Sequence, residues 1–149
     1  MGYDHEAVKA FKNELRSYKQ LKRDFRYTGE KLIEINQKIF GYGGPNYDGM
    51  PRNEYNPMAP NPLTDLFESK RKYDEQAAIL NGRIKNIETI LNLMEPNYKS
   101  IIYDIYVNGT SVALTAAYNN VTERMLKYWI DKEISDALSN YQVLLGSEI

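Results

Sequence analysis

The sequence predicts an all-α protein, a long antiparallel helical pair followed by a C-terminal three-helix unit of helix-turn-helix type. Three observations predict it. Apolar residues recur at three- and four-residue spacing through residues 1–40 and 63–95. Five of the six prolines and four of the nine glycines gather between these stretches, in Gly41–Pro62. The last third is cut into short amphipathic segments by Glu95-Pro96, Val107-Asn108-Gly109 and Asn119-Asn120.

In residues 1–40 the apolar set is Val8, Phe11, Leu15, Tyr18, Leu21, Phe25, Leu32, Ile35 and Ile39, one face of an amphipathic helix. Phe11, Tyr18, Phe25, Leu32 and Ile39 keep a seven-residue repeat, while the second seam drifts, which points to globular packing more than to an ideal coiled coil. Thr28-Gly29 interrupts the pattern at a cost of about 1 kcal/mol for the glycine. The stretch is therefore either one helix or two helices meeting at residues 28–29. Residues 41–62 form a connector without regular structure, in which Tyr42, Tyr47 and Tyr55 either stack on a partner or pin the loop. Its Gly41-Tyr42-Gly43-Gly44-Pro45 run lacks the following Lys-Ser/Thr of a phosphate loop.

Asn61-Pro62 is the cap and first residue of a second long helix over 63–95. Leu63, Leu66, Tyr73, Ala77, Leu80, Ile84, Ile87, Leu91 and Met94 form its stripe, with Lys70 filling the one gap. The two stripes face each other or face a second copy of the chain, with a dimer favoured.

Residues 96–149 form the third part. Ile101, Ile102, Ile105 and Tyr106 mark a short helix ended by Gly109. Ser111 caps an alanine-rich helix over Val112–Tyr118, and Asn119-Asn120 makes a tight turn. Thr122 caps a last helix bearing Leu126, Trp129, Ile130, Ile134, Ala137 and Leu138, which ends near Tyr141 and leaves a short tail. Trp129 falls in line with Leu126 and Ile130 and is read as a core anchor. The spacing of Ser111, Ala116, Thr122 and Leu126 supplies cap, small crossing residue, second cap and apolar anchor, the parts of a helix-turn-helix.

Composition narrows the function. The sequence has no cysteine, which removes thiolate chemistry, and its one histidine, His5, lies near the terminus and not where a serine triad would hold it rigidly, which argues against a triad. The acidic pairs Asp74-Glu75 and Asp131-Glu133 do not converge on one point and read as surface. No enzyme activity, cofactor or metal is expected. No run reaches the ~18 apolar residues of a membrane span, and no apolar leader opens the chain, so a cytoplasmic protein without a membrane partner is expected.

The stretch Leu93–Leu138 carries Leu93-Met94-Glu95-Pro96-Asn97-Tyr98-Lys99, Tyr106-Val107-Asn108-Gly109-Thr110-Ser111 and Thr122-Glu123-Arg124-Met125-Leu126. It resembles region four of bacterial sigma factors, and more closely the small phage regulators of the ArpU and RinA type. Thr115 and Asn119-Asn120 stand where that family has an apolar residue and a Leu-Gly turn. The resemblance implies an activator of late phage transcription in the cytoplasm of a bacterial host, with double-stranded DNA and RNA polymerase as partners. On that implication Asn119, Asn120, Thr122, Glu123, Arg124, Lys127 and Tyr128 lie at or near the DNA.

Charge divides unevenly along the chain. Residues 96–149 hold four Lys or Arg against six Asp or Glu, too little positive charge for strong duplex binding by themselves. Residues 1–40 hold nine Lys or Arg against six acids, and Lys12, Arg16, Lys19, Lys22, Arg23 and Arg26 form one stripe of candidate phosphate contacts. The alternative is a solvated helix face. The function expected is therefore a sequence-specific DNA-binding transcription regulator acting as a homo-oligomer. Its rivals are a small terminase subunit in DNA packaging and a protein-interaction module that touches no DNA.

Overall fold

A computed structural model describes residues 4–42 and 62–147, and every regular element in them is helical. The elements are α1 (His5–Tyr42), α2 (Pro62–Asn92), α3 (Pro96–Ile102), α4 (Val112–Tyr118) and α5 (Glu123–Ser147). α3 runs into a π-helical turn over Tyr103–Val107. α1 packs against α2 as the antiparallel pair. The connector expected at 41–62, with its three tyrosines, lies outside the described residues apart from its ends.

The described chain divides into two compact units, Met1–Lys22 with Gly82–Ile149, and Arg23–Asn81. The first contains the main core. Val8, Phe11, Leu15, Tyr18 and Leu21 of α1 are buried, as are Ile84, Ile87, Ile90 and Leu91 of α2, Met94, Ile102 and Ile105 around α3, Ala116 of α4, and Leu126, Ile130, Ile134 and Ala137 of α5. Among the described residues of the second unit only Thr28, Ile35 and Leu80 are buried to this degree. Lys38 there shares a concavity with Pro62, Asp65, Leu66 and Ser69, consistent with antiparallel pairing of the helices.

α1 is one helix, with no break at Thr28-Gly29. The Thr28 hydroxyl donates to the Asp24 carbonyl at 2.8 Å, which satisfies the only polar group the seam buries there. Phe25, expected in the core, is 39% exposed. The seam advances by three residues from Tyr18 to Leu21 and then continues at Thr28 and Ile35, so Phe25 is rotated off it. α5 also departs from expectation by running to Ser147 rather than ending near Tyr141. Tyr141 donates to Asn86 of α2 at 2.7 Å, and no proline follows it. The helix continues through Gln142, Leu144 and Leu145 and carries Gly146 only in its last turn.

Candidate nucleic-acid interface

The junction of α4 and α5 is built by local hydrogen bonds that the sequence dictates. Ser111 accepts from the Leu114 N–H at 3.3 Å, and the Thr115 hydroxyl donates to the Ser111 carbonyl at 2.9 Å. α4 ends in a Schellman motif. The Val121 N–H donates to the Ala116 carbonyl at 3.0 Å, and the Asn120 N–H donates to the Ala117 carbonyl at 3.2 Å. Asn120 itself takes φ 58°, the left-handed conformation that asparagine enters more easily than most residues. Thr122 then caps α5 by accepting from the Met125 N–H at 3.1 Å. Four residues, Asn119 to Thr122, thus reverse the chain between helices.

This turn gives a direct test. Asn120→Gly is expected to be neutral or to stabilise by up to about 1 kcal/mol, and Asn120→Val to cost about 1–2 kcal/mol, because β-branching is strained at positive φ. Urea denaturation of the two variants checks it; equal midpoints would show that the turn does not depend on Asn120.

Burial sorts the two faces of α5. Leu126, Ile130, Ile134 and Ala137 point inward, and of the alanines in α4 only Ala116 is buried, with Ala113 and Ala117 exposed. Asn119, Asn120, Thr122, Glu123, Arg124, Lys127 and Tyr128 are all exposed and gather on the turn and the first two turns of α5. Trp129 is not the core anchor expected. It is half-buried and walls a shallow concavity with Tyr98, Tyr128, Lys132, Glu133 and Asp136, because Leu126, Ile130 and Ile134 occupy the inward face.

The basic stripe of α1 divides. The Lys12 ammonium pairs with Asp131 of α5 at 2.5 Å, and Lys12 and the Arg16 guanidinium lie 5.5 and 5.3 Å from the centroid of the Tyr106 ring. Burial works against charge on Lys12, but the hydrogen bond to Asp131 and the field of Tyr106 outweigh it and hold the ammonium above its usual value. Lys12 is therefore a structural tie between α1 and α5, and Arg16 donates to Asn13 at 2.9 Å while covering Tyr106. Lys19 and Lys22 remain exposed, with Lys22 5.3 Å from the Tyr18 ring centroid. Arg23 and Arg26 are exposed on the second unit.

Tyrosines that carry no local signal for it join α1 to the C-terminal helices. The π turn places Tyr106 under Lys12 and Arg16, and Tyr103 edge-on to Tyr18 at 6.2 Å between centroids. Nothing in local spacing signals this pairing, although the excess of tyrosine does hint at it. The acids Asp131 and Glu133 have structural partners as well, Glu133 accepting from the Glu95 N–H at 3.0 Å beside the first turn of α3. Among the described residues no group of three His, Cys, Asp or Glu could hold a metal ion, and no helix is long and apolar enough to cross a membrane.

With residues 1–22 and 82–95 included, the first unit carries eleven Lys or Arg against eleven Asp or Glu, so the deficit of the C-terminal helices is made up within their own unit. Compared with protein-family models, curated proteins and solved structures, the chain gives no match.

Proposed function

We propose that the chain is a sequence-specific DNA-binding transcription regulator of phage or prophage genes, with the first turns of α5 entering the major groove. The observation that carries this reading is the two-helix junction itself. A four-residue turn and the first two turns of α5 present seven polar or aromatic side chains, while the apolar side of the same helix is locked in the core. Arg124 is the leading candidate for reading a guanine edge or gripping a phosphate, and Lys127 and Tyr128 lie one turn further along. The resemblance to regulators of the ArpU and RinA type agrees with this arrangement, and under it RNA polymerase is a second partner.

A second reading is a protein-interaction module. A neutral unit lacks the excess positive charge of most duplex binders, and Ile101, Leu114 and Tyr118 line an open groove beside α4. Selection of duplexes from a random-sequence library by the full chain, at near-physiological salt, separates the two. The DNA reading expects an enriched motif, and Arg124→Ala to weaken binding to it by about 5- to 150-fold, equivalent to ~1–3 kcal/mol. Arg124→Glu with Lys127→Glu is expected to abolish it with helicity intact. A folded wild type that enriches nothing overturns the DNA reading. A small terminase subunit would instead reveal itself as a ring of eight or more chains.

A further inference from the structure

The concavity between α3 and α5 is walled by side chains at helical spacing. Tyr128, Lys132 and Asp136 follow one another every four residues along α5, and Trp129 and Glu133 form the adjoining row. Tyr98 of α3 closes the other side, and the Glu95 N–H, donating to Glu133 Oε1 at 3.0 Å, holds the start of α3 against that row. The space is about 280 Å³, just below the ~300–1,000 Å³ of pockets that take a whole small molecule and ample for the head of one side chain.

Its walls differ from the other aromatic surfaces of the unit. Lys12 and Arg16 lie over the Tyr106 ring and Lys22 over the Tyr18 ring, so the chain covers those tyrosines with its own cations. Lys12 also pairs with Asp131, which makes it a cation held between a ring and a carboxylate. The concavity offers the same two elements, three rings and the carboxylates of Glu133 and Asp136. Among the described residues, however, no cation covers the rings of Tyr98, Tyr128 or Trp129, and Asp136 has no ion-pair partner. Two carboxylates in the lining stand against one ammonium, Lys132, and Arg124, one turn before Tyr128, is not part of it.

We propose that this concavity binds an arginine side chain from a basic peptide segment of a partner protein, its planar head stacked on Trp129 between the tyrosines and its charge met by Glu133 and Asp136. A guanidinium stacks on aromatic faces, forks onto carboxylates and sheds water more readily than an ammonium. The site is shallow and open, which suits one side chain presented by a peptide lying across α5. A nucleic-acid strand stacking its bases there would need a basic groove for its phosphates, and the excess of carboxylate opposes that. The inference goes beyond the DNA-binding reading and does not depend on it, although Tyr128 belongs to both surfaces.

Trp129 is the one tryptophan of the sequence, so its fluorescence reports directly on this site. The full chain, without DNA, is titrated with a capped peptide of alternating glycine and arginine, and with the same peptide carrying citrulline, the uncharged isostere of arginine. The arginine peptide is expected to change the emission saturably in the millimolar range, and the citrulline peptide to bind about 10-fold more weakly or less. Asp136→Asn is expected to weaken the arginine peptide about 3- to 10-fold, and Lys132→Ala, which removes a like charge, to strengthen it about 2- to 5-fold. Both residues are exposed, so helicity is expected to be unchanged, and Glu75→Gln, an exposed acid of α2, is expected to leave the affinity as it was. An anionic occupant would reverse the signs of the Asp136 and Lys132 variants. No saturable change, equal binding of the citrulline peptide, an equal loss in Glu75→Gln and Asp136→Asn, or reversed signs overturns the proposal. Duplex selection reads the DNA function separately: a chain that takes the arginine peptide but enriches no motif sinks the DNA reading alone, and the opposite result sinks the peptide site alone.

Discussion

Replacing Ile130 with alanine is expected to destabilise the unit that holds the reading helix by about 3 kcal/mol, within the ~2–5 kcal/mol span of large-to-small changes in a packed core. Ile130 is fully enclosed, one turn from Leu126 and Ile134, which are enclosed as well. Truncation removes the transfer energy of three carbons and leaves a cavity whose walls are held by helices on several sides. For a chain of this length the loss corresponds to a fall of roughly 6–12 °C in melting temperature. Leu145→Ala, on the exposed last turns of the same helix, is expected to cost under about 1 kcal/mol. Equal losses in the two variants would show that the inward face of α5 is not the core of this unit.

Stability is also expected to fall in alkali, and Tyr18 is the residue through which it falls most. Burial raises the phenol above its usual range, and the hydrogen bond it donates to the Glu88 carboxylate at 2.6 Å raises it further, since a phenolate there would face a second anion. In the unfolded chain Tyr18 ionises near pH 10. A group whose folded value is raised contributes stability that is complete below the unfolded value and is lost as pH climbs from there toward the folded one. Lys12, also raised, acts in the same direction and the same range. Urea midpoints are therefore expected to be flat from pH 7 to 9 and to drop steeply above about 10. Tyr18→Phe is expected to cost about 1–2 kcal/mol at pH 7, where it removes a hydrogen bond to a charged group, and to flatten the alkaline drop. Parallel pH profiles for the wild type and Tyr18→Phe would show that this phenol does not govern the alkaline loss.

Local pattern accounts for the elements. The three-and-four spacing of α1 and α2, the caps Ser111 and Thr122, and the chain reversals at Gly109 and Asn120 rest on interactions within a few residues, which local pattern records faithfully. The inward face of α5 and the exposed set around Arg124 follow from the same periodicity. Tertiary structure decided the rest. That α1 passes Thr28-Gly29 unbroken depends on a seam that buries the Thr28 methyl while its hydroxyl is satisfied within the helix. That Lys12 pairs with Asp131, 119 positions away, and that Tyr106 lies beneath Lys12 and Arg16, could not be read from either segment alone. Helical periodicity says which side of an element is apolar and which is charged, but not which neighbour each side will meet. The cations of α1 therefore read alike in sequence, and packing divides them into a structural tie at Lys12 and exposed cations at Lys19 and Lys22.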